Sequence, residues 1–166
     1  MAMESGVLFD AMRGSLSGDS VTRSRKMLGD LLGVFRDDEA YSSMDMETLV
    51  YEVEAYCPVG NIEGGLYFGV SRIFPGRVGE EFFMTRGHHH LVRNRAEYYW
   101  GISGAGILLL VNEGGVTREE IVKTGSLHYI AGNTAHRLIN TGDETLVVGA
   151  CWPSDAGHDY AAFCNG

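Results

Sequence analysis

From Glu47 onward the chain alternates. Short stretches with an apolar residue at every second position are cut apart by glycines and turn residues, and a period of two is the period of strands. Leu49, Tyr51, Val53 and Ala55 share one parity and predict a strand ending near Cys57-Pro58. Gly64-Gly65 opens a second strand, Leu66 to Phe74, closed by Pro75-Gly76. Glu81 to Gly87, Ala96 to Ile102, Gly106 to Val111, Arg118 to Lys123, Leu127 to Ile130, His136 to Ile139 and Thr145 to Trp152 follow in the same style. The chain has 23 glycines and 3 prolines, which suits many tight turns. Many short strands with no helical pattern between them predict an all-β barrel or sandwich. No Walker or Rossmann glycine pattern opens a helix after a strand.

The first part of the chain reads differently. Residues 1–19 are rich in Ser, Gly and Met without a period, and are expected to form a loosely packed arm, either disordered or a subunit contact. A helix is expected next. Ser20 would cap it, Val21, Leu28, Leu31 and Leu32 stand at helical spacing, and Gly33 would end it. Arg23, Arg25 and Lys26 would be its solvated face. The expected division is an arm and helix over 1–46 and a barrel with a C-terminal tail over 47–166.

A chain of 166 residues suits one domain with a real core. The formal charge of -9 argues against nucleic acid and anionic membranes as partners. It leaves a small anionic substrate open, because charges are screened beyond roughly 8 Å at physiological salt. No apolar run is long enough for a membrane-spanning helix, and Met1 to Gly6 lacks a signal-peptide pattern. Cys57, Cys151 and Cys164 make neither a disulfide framework nor a zinc ribbon; reduced thiols in a cytoplasmic protein are expected.

The chemistry concentrates in Thr85-Arg86-Gly87-His88-His89-His90 and the following Glu97. On a strand His88 and His90 share a face and His89 takes the other. Two imidazoles with a carboxylate nearby make half or more of a metal site. The bland alternative is a polar, solvated strand end.

These residues resemble the cupins, small β-barrels of jelly-roll type. The first cupin motif is a His-x-His, a gap, a Glu, six residues and a Gly, as in His88, His90, Glu97 and Gly104. The second is matched by Gly125, His136 and Asn140, while Ala131 and Asn133 stand where a Pro and a Gly are usual. The resemblance implies a jelly-roll barrel whose metal ligands are His88, His90, Glu97 and His136. Three imidazoles and a carboxylate suit a borderline divalent ion, iron first, with manganese, zinc or nickel as the others.

A closer resemblance runs through Gly64 to Arg72, Pro75-Gly76, Glu81 to His88, Glu97-Tyr98-Tyr99, Ala135-His136-Arg137, Asn140 to Glu144 and Asp155-Ala156-Gly157-His158-Asp159-Tyr160. These blocks are similar, in the same order, to the cupin-type phosphoglucose isomerases. The resemblance implies a homodimeric enzyme that interconverts glucose 6-phosphate and fructose 6-phosphate with a divalent metal. It implies phosphate contacts near Ser71, Thr85, Gly87 and Tyr99, with help from Tyr160. It places His158 in the substrate pocket and gives Glu97 and His158 to the chemistry. Ser71, Arg86 and Trp152 stand where the family tends to have Thr, Lys and Tyr, and the segment Ala131 to Thr134 departs from its pattern.

Other expectations concern orientation. Arg86, next to Thr85 on a strand, is expected to face solvent. A bulge is expected if Glu97 and Tyr99 are both to face the cavity. His128 is expected to be a packing residue. Alternatives to the isomerase are another metal-dependent cupin, a dioxygenase or epimerase, and a non-catalytic sugar-binding cupin.

Overall fold

A computed structural model describes residues 6–163. Met1 to Ser5 of the expected arm and Cys164 lie outside the described residues. The strands are β1 (Leu8–Asp10), β2 (Ser15–Ser17), β3 (Thr22–Met27), β4 (Leu49–Tyr56), β5 (Leu66–Ile73), β6 (Arg77–Val78), β7 (Glu81–Phe82), β8 (Glu97–Ser103), β9 (Ala105–Asn112), β10 (Thr117–Lys123), β11 (Leu127–Ile130), β12 (Thr134–Ile139) and β13 (Leu146–Pro153). One short α-helix, α1 (Asp38–Ser43), has Asp37 as its cap, whose carboxylate accepts from Ala40 N–H at 2.9 Å.

Two antiparallel sheets face each other. One has the order β11-β8-β13-β5-β4-β3 and the other β10-β9-β12. Residues from both, among them Val50, Ile73, Leu108, Leu110, Val122, Ile130, Leu138, Leu146 and Val148, meet in one buried cluster, so the core lies between the sheets. Even-numbered residues of β13 (Leu146, Val148, Ala150, Trp152) and odd-numbered residues of β5 (Gly69, Ser71, Ile73) point into this space. Beyond the core the same faces line a cavity.

The helix expected after Ser20 is not formed. Thr22–Met27 is a strand, followed by a 3-10 turn at Leu28–Leu31. Its register against β4 explains why. Arg23 stands opposite Glu54 and Arg25 opposite Glu52, at 3.2 and 3.4 Å, while Ser24 and Lys26 pair with Val53 and Tyr51 on the inner face. Cross-strand charge pairs and a free sheet edge outweigh a helical spacing carried only by Val21 and three leucines. The expected loose arm also has structure. β1 and β2 form a hairpin, and Leu16 packs with Val21, Val70 and Val147 on the outer face of the six-stranded sheet.

Glu54 ties that hairpin down. It accepts from Leu16 N–H at 2.7 Å and pairs with Arg72 at 3.1 Å. Burial alone would raise its pKa, but the Leu16 N–H and Arg72 more than offset this and hold it below the ordinary value. A carboxylate with a depressed folded pKa adds stability above its unfolded pKa and loses it as pH falls through the folded one. Stability to urea is therefore expected to drop on acidification below the usual carboxylate range, and to drop less in Glu54→Gln. A tighter constraint sits at Gly101, where a methyl group would strike the Lys123 carbonyl. Gly101→Ala is expected to cost about 1–3 kcal/mol of overpacking strain, read from urea midpoints.

Candidate metal centre

Segment 83–90 runs beside β12 and builds the site. Thr85 N–H donates to the Leu138 carbonyl at 2.9 Å, and His88 and His136 exchange both main-chain bonds at 3.1 and 3.0 Å. Between the bridges Met84 to Ile139 and His88 to His136, segment 83–90 advances four residues (88 − 84) while β12 advances three (139 − 136). The extra residue is a bulge, and Gly87 absorbs it with φ at 75°. The bulge resets the alternation, so Thr85, Arg86, Gly87 and His88 all line one cavity. This corrects the expectation for Arg86: parity opposite Thr85 holds only on an unbroken strand.

Residues directly opposite in an antiparallel pair bring their side chains together. The His88 and His136 rings accordingly lie 4.3 Å apart between centroids. His90, two residues on, shares the face of His88 at 5.7 Å. Glu97 opens β8 and points inward from the other sheet.

The donor atoms of His88, His90, Glu97 and His136 all lie within 4.8 Å of one another. Glu97 Oε1 is 2.7 Å from His136 Nε2 and 3.2 Å from His90 Nε2. Neither contact has hydrogen-bond alignment. Nε2 of all three histidines and Oε1 of Glu97 are buried with no hydrogen-bond partner. An unpaired buried polar group costs about 1–3 kcal/mol, so four of them converging need a common partner, and a cation serves all four. The far ring nitrogens prepare this. His90 Nδ1 lies 2.8 Å from the Arg95 carbonyl, and His136 Nδ1 lies 3.3 Å from that of Thr134. Donation there puts the proton on Nδ1 and leaves Nε2 as a lone pair. The residues present thus fit a divalent metal.

With no cation between them, the buried groups act on one another's charge. Burial, with His136 and His158 adding to it, pushes the His88 pKa down to about 2, so its ring is neutral. Burial alone would raise Glu97, yet His136 and His90 hold its carboxyl well below the usual carboxylate range. Burial would lower His90, and Glu97 raises it instead.

The cavity above the cluster holds about 190 Å³. Ser71, Thr85, Gly87, Tyr99 and Tyr160 line it, as do His88, Glu97, His136 and His158, while His90 lies beneath in the cluster. Thr85 Oγ1 accepts the Leu138 N–H at 3.0 Å, which leaves its own proton for a ligand. Burial first and Glu97 second hold the Tyr99 phenol well above its ordinary pKa, so it remains a donor. Glu97 and Tyr99 face inward together, paired in regular register with Ile130 and His128. No bulge separates them, because residues two apart share a face; the register of β8 shifts only further on, between Gly101 and Ser103. His158 stands at the mouth, its ring 4.4 Å from that of His88. Tyr160 stacks on it at 6.0 Å.

Ser24, Lys26, Tyr51 and Trp152 also line the cavity and were not expected there. Strand parity through Ser24 and Lys26 is the signal that would have found two of them. Trp152 lies flat on Tyr67 at 5.0 Å, and Gly69 makes room for it, since a methyl group there would sit 2.8 Å from the indole. His89 stays outside the cluster. His128 is buried, with Nδ1 2.6 Å from Glu120 and Nε2 2.8 Å from Ser126. The Ser126 hydroxyl donates to the Lys123 carbonyl, so this row is structural rather than nucleophilic.

An antiparallel two-sheet barrel with its histidines at facing positions is the cupin architecture. Oxalate decarboxylase from Bacillus subtilis at pH 4.6 has the same fold, with a TM-score of 0.52 at 20% identity, over 66% of this chain and 27% of that one. A deletion mutant of that enzyme gives 0.53 at 20% identity over 71% and 29%. This chain spans less than a third of those longer chains, and the likeness is one of fold. The Glucose-6-phosphate isomerase (GPI) family matches residues 25–165. The glucose-6-phosphate isomerase of Thermococcus litoralis is 40% identical over 162 residues, covering 96% of this chain and 84% of the relative. That of Thermococcus onnurineus is 39% identical over 158 residues, covering 95% and 82%. The fold and site define a cupin enzyme with a candidate centre for a divalent metal. The chain belongs to the glucose-6-phosphate isomerase family.

The ligand geometry makes a direct prediction. His136→Ala is expected to weaken divalent-metal binding by at least about tenfold, the effect of losing even an outer-shell partner. Elemental analysis after dialysis checks it, and unchanged metal content would remove His136 from the site.

Proposed function

We propose that this protein is a metal-dependent aldose–ketose isomerase interconverting glucose 6-phosphate and fructose 6-phosphate. The observation that carries the reading is the convergence of four unpaired buried donor atoms at the floor of a cavity whose walls offer hydroxyls and two cations. Family membership supports this choice of substrate. His88, His90, Glu97 and His136 would hold the metal, iron first among the divalent ions that suit this donor set. A bound divalent ion supplies Lewis-acid polarisation of the sugar carbonyl.

The chain's own groups do the rest. Thr85 and Ser71 donate hydroxyl protons to the phosphate, the bulge at Gly87 lets the backbone approach it, and Tyr99 and Tyr160 add phenols. Arg86 and Lys26 bring positive charge into a protein of net charge -9, concentrating attraction where the dianion must enter. Arg86 sits 5.4 Å from the Tyr160 ring, which keeps its guanidinium at the cavity rather than in solvent. Aldose–ketose isomerisation moves a hydrogen between neighbouring carbons. Glu97 is the carboxylate placed to take or steer it, and His158, kept neutral by burial first and neighbouring imidazoles second, is placed to exchange a hydroxyl proton. Its lowered pKa makes the neutral, accepting form the resting one at pH 7. A cytoplasmic homodimer serving glycolysis and gluconeogenesis accompanies this reading through the family.

A coupled isomerase assay across iron, manganese, zinc and nickel tests it. Activity is expected to vanish with a chelator and return with added metal. Metal-loaded protein that converts neither hexose phosphate would sink the proposal. Glu97→Gln is expected to lower kcat by about 10²–10⁴, the usual worth of a general acid–base group, with part of its metal retained. Full turnover in that variant would exclude Glu97 from the chemistry.

A further inference from the structure

The geometry points to Arg95 as a positioning residue that fastens the C-terminal segment 153–160 to the segment carrying His88 and His90. The inference rests on the isomerase reading of the cavity and deepens it. Two sets of bonds meet in this residue. Its carbonyl lies 2.8 Å from His90 Nδ1. Its guanidinium forks onto Asp155, Nε to Oδ1 at 3.0 Å and Nη2 to Oδ2 at 2.6 Å. One residue therefore orients a metal-site imidazole through its backbone and holds the tail through its side chain.

The tail needs such a hold. His158 and Tyr160 lie beyond β13, the last strand of the barrel, where no regular sheet fixes them. What binds them is a short ladder to segment 88–95. His89 N–H donates to the Asp159 carbonyl at 2.9 Å, Asp159 N–H donates back at 2.8 Å, and Val92 N–H donates to the Ala156 carbonyl at 2.9 Å. Arg93 adds a contact to Asp159 at 2.6 Å. Gly157, with φ at 60°, turns the tail close against Leu91.

Exposed ion pairs contribute little to stability, because water screens them. A forked arginine–carboxylate pair still fixes direction as well as distance. Arg95 keeps about a quarter of its side chain exposed (25%), so its contribution is geometric. His158 stands 4.4 Å from His88 and 6.4 Å from His90 between ring centroids, and a shift of about 1 Å at a reacting group can cost a hundredfold in rate. Loosening the fork displaces His158 and Tyr160 and leaves the four donor atoms in place, since none of them is on the tail.

The test compares metal-loaded parent, Asp155→Ala and Arg95→Lys. Asp155→Ala is expected to exchange the Asp159 and Val92 amide protons at least about tenfold faster, as a locally loosened unit does. Its kcat/KM is expected to fall about a hundredfold with metal content unchanged. Arg95→Lys should fall between, because lysine cannot fork. A lowered melting temperature with unchanged kcat/KM would overturn the inference, as would unchanged amide exchange. Loss of metal from Asp155→Ala would overturn it too, because the fork would then serve the ligands and not the tail. If the parent itself shows no isomerase activity, the functional reading fails, while amide exchange still decides whether the fork holds the tail.

Discussion

Everything at the site depends on one pair of main-chain hydrogen bonds, those that His88 and His136 exchange across two antiparallel segments. That exchange fixes both rings on one face and sets the spacing that His90 and Glu97 complete. The bulge at Gly87 is its counterpart. Without the extra residue, the register that pairs Met84 with Ile139 would place Gly87 rather than His88 opposite His136. Side-chain chemistry thus rests on backbone register, and register rests on a single left-handed glycine.

The electrostatics follow from burial. Four donors drawn out of water with no hydrogen bonds among them are tolerable only around a cation. Near the same floor, Glu97 and Tyr99 share a wall, and the carboxylate's charge helps keep the phenol protonated. Two cations, Lys26 and Arg86, line the same cavity. The cavity therefore carries positive charge, although the whole protein is acidic. Net charge describes the exterior and says little about a cavity of this size.

Much of this was legible in the chain. Alternation from Leu49 onward gave the barrel, because half-buried strands must alternate and the glycines between them mark real turns. His88, His90, Glu97 and His136 were legible as a set, because a spaced motif encodes contacts that register later brings about. What was not legible has physical causes. Val21 and the leucines after it suggest a helix, and the pairing with β4, absent from any local window, makes Thr22–Met27 a strand. Lys26 was misread with it. Arg86 was misplaced because a bulge breaks parity, and the glycine that permits one does not announce it. Glu97 and Tyr99 needed no distortion at all, since positions two apart on a strand already agree.

β3 occupies an edge of the barrel wall. It ends the six-stranded sheet with β4 as its single neighbour there among the described residues, yet its inner face carries Ser24 and Lys26 into the cavity. An edge strand gives up fewer bonds on opening than β5 or β13, which are held on both sides. The barrel therefore has a seam, and the seam runs beside the wall that bears Lys26. Opening there would loosen the wall that bears Lys26 and leave His88, His90 and His136 in place, since none of them is on β3.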